Sequence, residues 1–256
     1  MLPDEPRVSL TSLDDESGIV PEVRLRQGEL AANLKSVRTQ IADAAIKADR
    51  NPNDITLIAV TKNFPASDAA LLAELGVCDL GENRSQEAER KATEVASMTG
   101  HEIVWHFIGQ LQRNKVRTVI SFADVIHSVD RLSLVETLAG EIERVGKSPK
   151  VLVQINLDQG STGRGGVTGD SFLSVSDAIV AAGIELAGVM AVAPIGQDPD
   201  RGFERLAAFH EQLLLSHPSA TWRSAGMSGD FQVAIRHGAT HLRLGSSILG
   251  SRHLLQ

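Results

Sequence analysis

The sequence predicts an α/β protein built as a single (β/α)8 barrel. Eight short apolar runs alternate with helical patterns, which implies a parallel sheet covered by helices. The length of 256 residues matches one such barrel and leaves no room for a second domain. The GxGxxG fingerprint that a dinucleotide-binding open sheet would carry after its first strand is missing.

The elements follow in order. Leu30, Leu34, Val37 and Ile41 form one apolar stripe and predict a helix over residues 22–48, outside the barrel or capping one end. Strands are predicted at Ile55–Thr61, Asp79–Gly81, Val104–Gly109, Asp124–Val129, Val151–Asn156, Leu186–Val192, Ser224–Met227 and His241–Gly245. Helical patterns fill the intervals: 66–76, 84–98, 112–121, 131–146, 170–182, 199–216, 230–237 and 247–254. The helix over 131–146 carries Leu132, Val135, Leu138 and Ile142 on one face. Asp130, Asp170 and Asp230 stand where N-caps belong, and Gly76, Gly183 and Gly238 where helices should end.

Composition narrows the function. Hydrophobic residues make up 42% and charged residues 22%, as in a soluble globular protein. The chain has no tyrosine, so no step can use a phenol of its own. A lone Cys78 excludes an intrachain disulfide and a cysteine-based metal cluster, and fits a reducing compartment. No HxH or HExxH spacing suggests another metal site. Residues 1–20 supply −4 of the net charge of −7 and are expected to be a disordered acidic tail, with residues 21–256 forming the barrel domain. The body is then nearly neutral and has no basic block, which argues against nucleic acid or an anionic membrane surface. No apolar run approaches the roughly 20 residues that span a bilayer, and the acidic N-terminus does not read as a secretory signal. A cytoplasmic location is expected.

Active residues of a barrel lie at the C-terminal ends of its strands. The first strand ends at Lys62, where apolar walls would disfavour the ammonium and leave a nucleophilic amine able to form a Schiff base with a carbonyl. A strand-end lysine reaching solvent is the alternative. Strands seven and eight end in Gly226-Met227-Ser228-Gly229 and Gly245-Ser246-Ser247, which offer hydroxyls, backbone N–H groups and a helix start suited to a phosphate. Together these favour a phosphorylated carbonyl ligand. Arg243, if inward, needs a ligand or carboxylate partner. His106 and His127, on strands three and four, either act as bases or bond within the barrel.

These residues carry a family resemblance. Ile58-Ala59-Val60-Thr61-Lys62, Gly81-Glu82-Asn83 with Gln86-Glu87, and Trp105-His106-Phe107-Ile108-Gly109 with Leu111-Gln112 and Asn114-Lys115 occur in that order. They continue with His127-Ser128-Val129-Asp130, Gly188-Val189-Met190-Ala191, Gly226-Met227-Ser228 with Asp230, and Arg243-Leu244-Gly245 ending in Gly250-Ser251-Arg252. Over about residues 24–253 the set resembles the pyridoxal-phosphate homeostasis proteins, the YggS/PROSC family. The resemblance implies a TIM barrel like the N-terminal domain of bacterial alanine racemase, the fold type III arrangement. It implies pyridoxal 5′-phosphate (PLP) held as an internal aldimine on Lys62. It also implies Asn83 and Met190 near the cofactor, Ser228, Gly245 and Ser246 at the phosphate, and Arg243 at the pyridine nitrogen.

Two departures stand out. Ser246 replaces a common Thr and keeps the hydroxyl. Asp158–Gly166 reads DQGSTGRGG in place of a Glu-x-x-Lys-x-Gly pattern, so no lysine role is carried over to that loop. The implied function is a PLP carrier in vitamin B6 and amino-acid homeostasis, without an established reaction. A racemase or lyase using Lys62 and a non-tyrosine second base is the alternative, and a Schiff-base aldolase a third. An arginine at the ring nitrogen is cationic at any working pH and weakens the electron sink that such chemistry needs. The expected partners are PLP and PLP-dependent apoenzymes that receive it. A monomer, with at most a weak dimer, is expected, since no helix face shows a long heptad seam.

Overall fold

The structure is a computed structural model that describes residues 19–158, 165–169, 171–194 and 196–250. It opens with α1 (Ile19–Lys47) and a 3₁₀ turn over Pro52–Asp54. The barrel then runs β1 (Thr56–Val60), α2 (Ala66–Glu74), β2 (Asp79–Glu82), α3 (Ser85–Met98) and β3 (Val104–Phe107). After a second 3₁₀ turn come α4 (Val116–Phe122), β4 (Val125–Val129), α5 (Leu132–Val145), β5 (Lys150–Ile155) and α6 (Ser171–Ala181). It closes with β6 (Leu186–Ala191), α7 (Pro199–Ser216), β7 (Trp222–Ser224), α8 (Phe231–Arg236), β8 (His241–Leu244) and α9 (Ser246–Leu249). The eight strands form one closed barrel in sequence order, with β8 pairing in parallel with β1. The expected fold class is therefore the observed one.

The stripe Leu30, Leu34, Val37 and Ile41 is buried, which seats α1 against the barrel. Polar clamps fix its register. The Arg26 guanidinium holds the Asp68 carboxylate at 2.7 Å and donates to Leu249 O at 3.0 Å, and Asn33 Nδ2 donates to Ile248 O at 3.0 Å. Just past the helix, Arg50 Nη1 donates to Ile235 O and Ala239 O, at 2.9 and 2.7 Å. The extra helix and Arg50 beyond it thus donate to backbone carbonyls at or just past the C-terminal ends of α8 and α9. These bonds brace the two elements flanking the strand-eight loop.

Inside the barrel, Val125, Leu152, Ala187 and Met190 form a small apolar cluster. The strand register shifts where β5 meets β6, from Val151 opposite Leu186 to Leu152 opposite Gly188. A Cβ at Gly188 would lie 1.9 Å from Trp222 O, so only glycine lets β6 and β7 approach there.

Several boundaries differ from expectation. Ile19 and Val20 belong to α1 rather than to the tail; the rest of that tail lies outside the described residues. β7 lies at Trp222–Ser224, two residues before the expected run. Its polar look hid it: Trp222 stacks on His241 at 4.0 Å, and Arg223 turns to His210 Nδ1 (3.1 Å) and His237 O. Asp130 caps no helix; Arg131 is the N-cap residue of α5, and the Asp130 carboxylate instead meets Arg131 and the Gly166 N–H. Asp230 stands at the N-cap of α8 but accepts backward from the Met227 N–H at 2.6 Å, closing the strand-seven loop. Gly76, Gly183 and Gly238 do end helices, each with a left-handed φ. Asp170, residues 251–254 of the last predicted helix, and residues 159–164 of the strand-five loop lie outside the described residues.

Candidate cofactor site

Lys62 follows β1 and lines a cavity of about 410 Å³ at the C-terminal mouth of the barrel. Its flanking residues are held firmly. The buried Thr61 donates its hydroxyl to Glu82 Oε1 at 2.8 Å, and its carbonyl accepts from Lys91 Nζ at 2.8 Å. Asn63 takes a left-handed φ of 63°, and its N–H is held by Glu87 Oε1 at 2.7 Å. The Lys62 amine itself makes no hydrogen bond or ion pair among the described residues. A rigid turn therefore presents an uncommitted amine to the cavity.

The support for this turn is an ion pair. Lys91 Nζ lies 2.5 Å from Glu82 Oε1 and 3.3 Å from Glu87 Oε1, and the Lys91 and Glu82 side chains are nearly or fully buried. Burial holds the Glu82 carboxyl above its ordinary range, although Lys91 and Thr61 pull the other way. Its second oxygen, Oε2, is buried without a partner among the described residues.

Across the mouth, Arg243 points inward from β8 and is only 4% exposed. Its Nη1 donates to Ser224 Oγ at 2.6 Å and its Nη2 to Ala191 O at 2.8 Å. No carboxylate touches it among the described residues. Burial pushes its guanidinium down to about 10, partly offset by the more distant charge of Asp230, so it stays a cation at neutral pH. A buried cation without a counter-ion is costly, and part of its edge faces the same cavity as Lys62.

The third part is a cup of hydroxyls. Ser228 Oγ lies 3.1 Å from Ser247 Oγ and 3.3 Å from Ser246 Oγ. Ser246 and Ser247 begin α9, so their N–H groups precede the first intrahelical bond. The described helix is a single turn, so these donors, rather than a long macrodipole, suit an anion. Gly245 brings this backbone close: a Cβ there would lie 3.2 Å from Val60 O. Lys62, Ser228, Arg243, Gly245 and Ser246 line one cavity with Val60, Phe64, Ile108 and Met227.

Two expected residues stand apart. Asn83 lines an adjacent polar cavity with Arg84, Gln110 and Lys115, its Oδ1 buried without a partner among the described residues. Its backbone is pressed against Gly109, where a Cβ would sit 2.2 Å from Asn83 O. Met190 belongs to the interior apolar cluster and is absent from the residues lining the Lys62 cavity.

His106 and His127 are fully buried and bond within the barrel, off the cavity. Sequence reading missed Ser224, Glu82 and Lys91 as supports of the site. The spacing of Glu87 and Lys91, one helical turn apart, was a signal for the pair; nothing marked Ser224.

The residues present fit a phosphorylated carbonyl compound: an amine for the carbonyl, hydroxyls and N–H groups for the phosphate, and a cation lacking a partner. The class defined by this fold and site is a (β/α)8 barrel with a cavity suited to such a ligand. Residues 27–253 match the family model described as alanine racemase, N-terminal domain. A pyridoxal phosphate homeostasis protein of Mycobacterium leprae is 41% identical over 246 residues, covering 90% of this chain and 95% of that one. PipY of Synechococcus elongatus, solved with PLP bound, superposes with a TM-score of 0.75 at 31% identity, covering 86% of this chain and all of that one. Alanine racemase of Corynebacterium glutamicum shares the fold at a TM-score of 0.65 and 18% identity, over 90% of this chain and 64% of that one. The chain belongs to the alanine racemase N-terminal domain family, and within it to the pyridoxal phosphate homeostasis proteins.

Proposed function

We propose that this protein binds PLP at Lys62 and holds it for intracellular PLP and amino-acid homeostasis rather than turning over a substrate. The observation that carries this reading is the single cavity that joins the Lys62 amine, the buried Arg243 cation and the serine cup. Its volume of about 410 Å³ is within the range of small-cofactor pockets. When bound, PLP supplies an aldehyde that condenses with a primary amine and a pyridine ring that can accept electrons.

This chain's residues then divide the work. Lys62 supplies the amine, on a turn fixed by Thr61 and Asn63. Ser228, Ser246 and the backbone at Gly245 are the phosphate donors. Arg243 offers a cation to the ring nitrogen and opposes its protonation, so electron withdrawal stays weak. Asn83 and Met190 support the surroundings of the ring, Asn83 from the adjacent cavity and Met190 from the apolar cluster beside Ser224.

A carrier rather than a catalyst follows from what faces the amine. A two-base reaction at an amino-acid Cα needs a second proton-transfer group across from Lys62. The chain has no tyrosine, and its two candidate histidines are fully buried away from the cavity. The partners of this function are PLP-dependent apoenzymes in the cytoplasm, which receive the cofactor. No helix among the described residues is long and apolar enough to cross a membrane.

Two measurements test the reading. Lys62→Ala is expected to abolish the visible absorption band of the PLP-loaded protein while leaving its circular dichroism unchanged; a retained band would assign the cofactor to another lysine. Incubation of the loaded protein with L-amino acids in deuterium oxide is expected to leave Cα unexchanged, and exchange at a turnover rate would make it an enzyme.

A further inference from the structure

The barrel interior carries a chain of polar groups that the proposed function does not use. Starting at Arg243, Nη1 donates to Ser224 Oγ at 2.6 Å. Ser224 Oγ lies 2.9 Å from His127 Nδ1, His127 Nε2 lies 2.9 Å from His106 Nδ1, and His106 Nε2 lies 2.9 Å from Asp79 Oδ1. His106, His127, Ser224 and Arg243 are all buried, whereas the Asp79 side chain is 33% exposed. Asp79 lines a separate cavity of about 510 Å³ bounded by Thr56, Leu57 and Cys78, near the N-terminal ends of β1 and β2. The chain therefore crosses the barrel from the Lys62 mouth to the opposite one.

Donor counting fixes its direction. A guanidinium can only donate, and an ionised carboxylate can only accept. An ionised Asp79 must accept from His106 Nε2–H, so a neutral His106 accepts at Nδ1 from His127 Nε2–H. A neutral His127 then accepts at Nδ1 from the Ser224 hydroxyl, which turns a lone pair to Arg243. With both imidazoles neutral and Asp79 ionised, this arrangement alone satisfies every contact. The reverse direction needs one more proton in the core. That proton would sit on His106 or Asp79; His127 is neutral in either direction, because burial, His106, Arg243 and His241 all hold it well below the ordinary histidine range.

We propose that Asp79, His106, His127 and Ser224 form a one-way donor relay that orients the Arg243 guanidinium for the cofactor ring, with His127 and Ser224 as its positioning residues. This rests on the assignment of Arg243 to the cofactor site. With Nη1 committed to Ser224 and Nη2 to Ala191 O, the plane of the guanidinium is set from two sides. Each link behind Ser224 keeps its hydroxyl hydrogen pointing away from Arg243, so Ser224 always presents a lone pair to the cation. The charged and titratable groups facing the relay are Asp79 at one end, Arg243 and the more distant Asp230 at the other, and the neutral His241 beside His106.

The test begins on the unloaded protein. Long-range 1H–15N spectra of histidine-labelled protein at pH 7 are expected to show His106 and His127 both neutral and protonated at Nε2. An Nδ1–H tautomer or an imidazolium at either position would overturn the relay. The cofactor link is tested with His127, which touches neither Arg243 nor the cavity. His127→Phe keeps a ring but loses both bonds and is expected to weaken PLP binding about tenfold, as for the loss of a buried hydrogen bond. His127→Gln, whose amide can accept from Ser224 and donate to His106, is expected to stay within about threefold of the parent protein. Equal affinities in all three proteins would sever the relay from the cofactor. If PLP does not label Lys62 in the parent protein, the site assignment fails, while the histidine spectra still decide the relay. If His127→Phe does not fold, the spectra and the glutamine variant keep both parts decidable.

Discussion

Arg243 concentrates the chemistry of the site in one side chain. It is buried, cationic and unpaired by any carboxylate among the described residues, yet both terminal nitrogens are engaged by neutral oxygens. Arg243→Met should have two opposed effects on the unloaded protein. It removes the cost of burying a charge, but leaves Ser224 Oγ and Ala191 O without that donor, at about 1–3 kcal/mol for an unsatisfied buried group. We expect a small change in melting temperature and a loss of PLP affinity of tenfold or more, by the ordinary worth of a charged contact. A large loss of stability with unchanged affinity would move Arg243 from the site to the scaffold. The sequence made Arg243 legible, since it lies two residues before Gly245 on a strand. Ser224, which holds it, was not legible, because a serine on a short strand reads like any other.

At the scale of elements, the strand-one end and α3 act together. The turn that presents Lys62 is pinned by two residues of α3, Glu87 at the Asn63 N–H and Lys91 at the Thr61 carbonyl. Lys91→Met would leave the Glu82 carboxylate buried with only Thr61 as a partner. Removing one member of such a pair costs about 3–5 kcal/mol, which chemical denaturation would read. Glu82 and Lys91 exchanged together for Gln and Met should recover most of that loss, because no buried charge then remains. A double variant as unstable as Lys91→Met would show that the pair matters through something other than charge burial. Element positions were largely legible in the sequence, because apolar runs and helical stripes alternate cleanly. β7 was misplaced because Trp222 and Arg223 pack sideways on His241, His210 and His237, contacts that no local pattern reveals. The cap at Asp130 was misread for a similar reason: its carboxylate serves a loop rather than a helix start, whereas Asp230 does stand at the N-cap of α8, with its carboxylate turned to the Met227 N–H.

At the scale of the whole molecule, the barrel encloses histidines that resist protonation. Burial lowers His127 well below the ordinary range and His241 to about 4, and it lowers His210 as well. The unfolded chain protonates these groups near pH 6.5, while the folded chain refuses the protons. Their contribution to stability is thus present above about pH 6.5 and is lost as pH falls toward the lowered values. His241 and His127 each add a slope of up to about 1.4 kcal/mol per pH unit in that window, and His210 adds to it in the same direction, so urea midpoints should drop steeply as pH falls from about 6.5 toward about 4. His127→Gln should flatten this slope by the share of one histidine. An unchanged slope would mean that the acid sensitivity arises elsewhere. The closed barrel itself was legible from length and alternation, and its mouth from the strand-end residues. The polar interior was not, because an inward histidine and an outward one look alike until the register is known.

The most direct test of the account is borohydride reduction of the PLP-loaded protein followed by peptide mapping. A single pyridoxyl group is expected on the peptide bearing Lys62 and none on the peptide bearing Lys91, whose amine is buried in its ion pair. Pyridoxyl on any other lysine, with Lys62 unmodified, would contradict it.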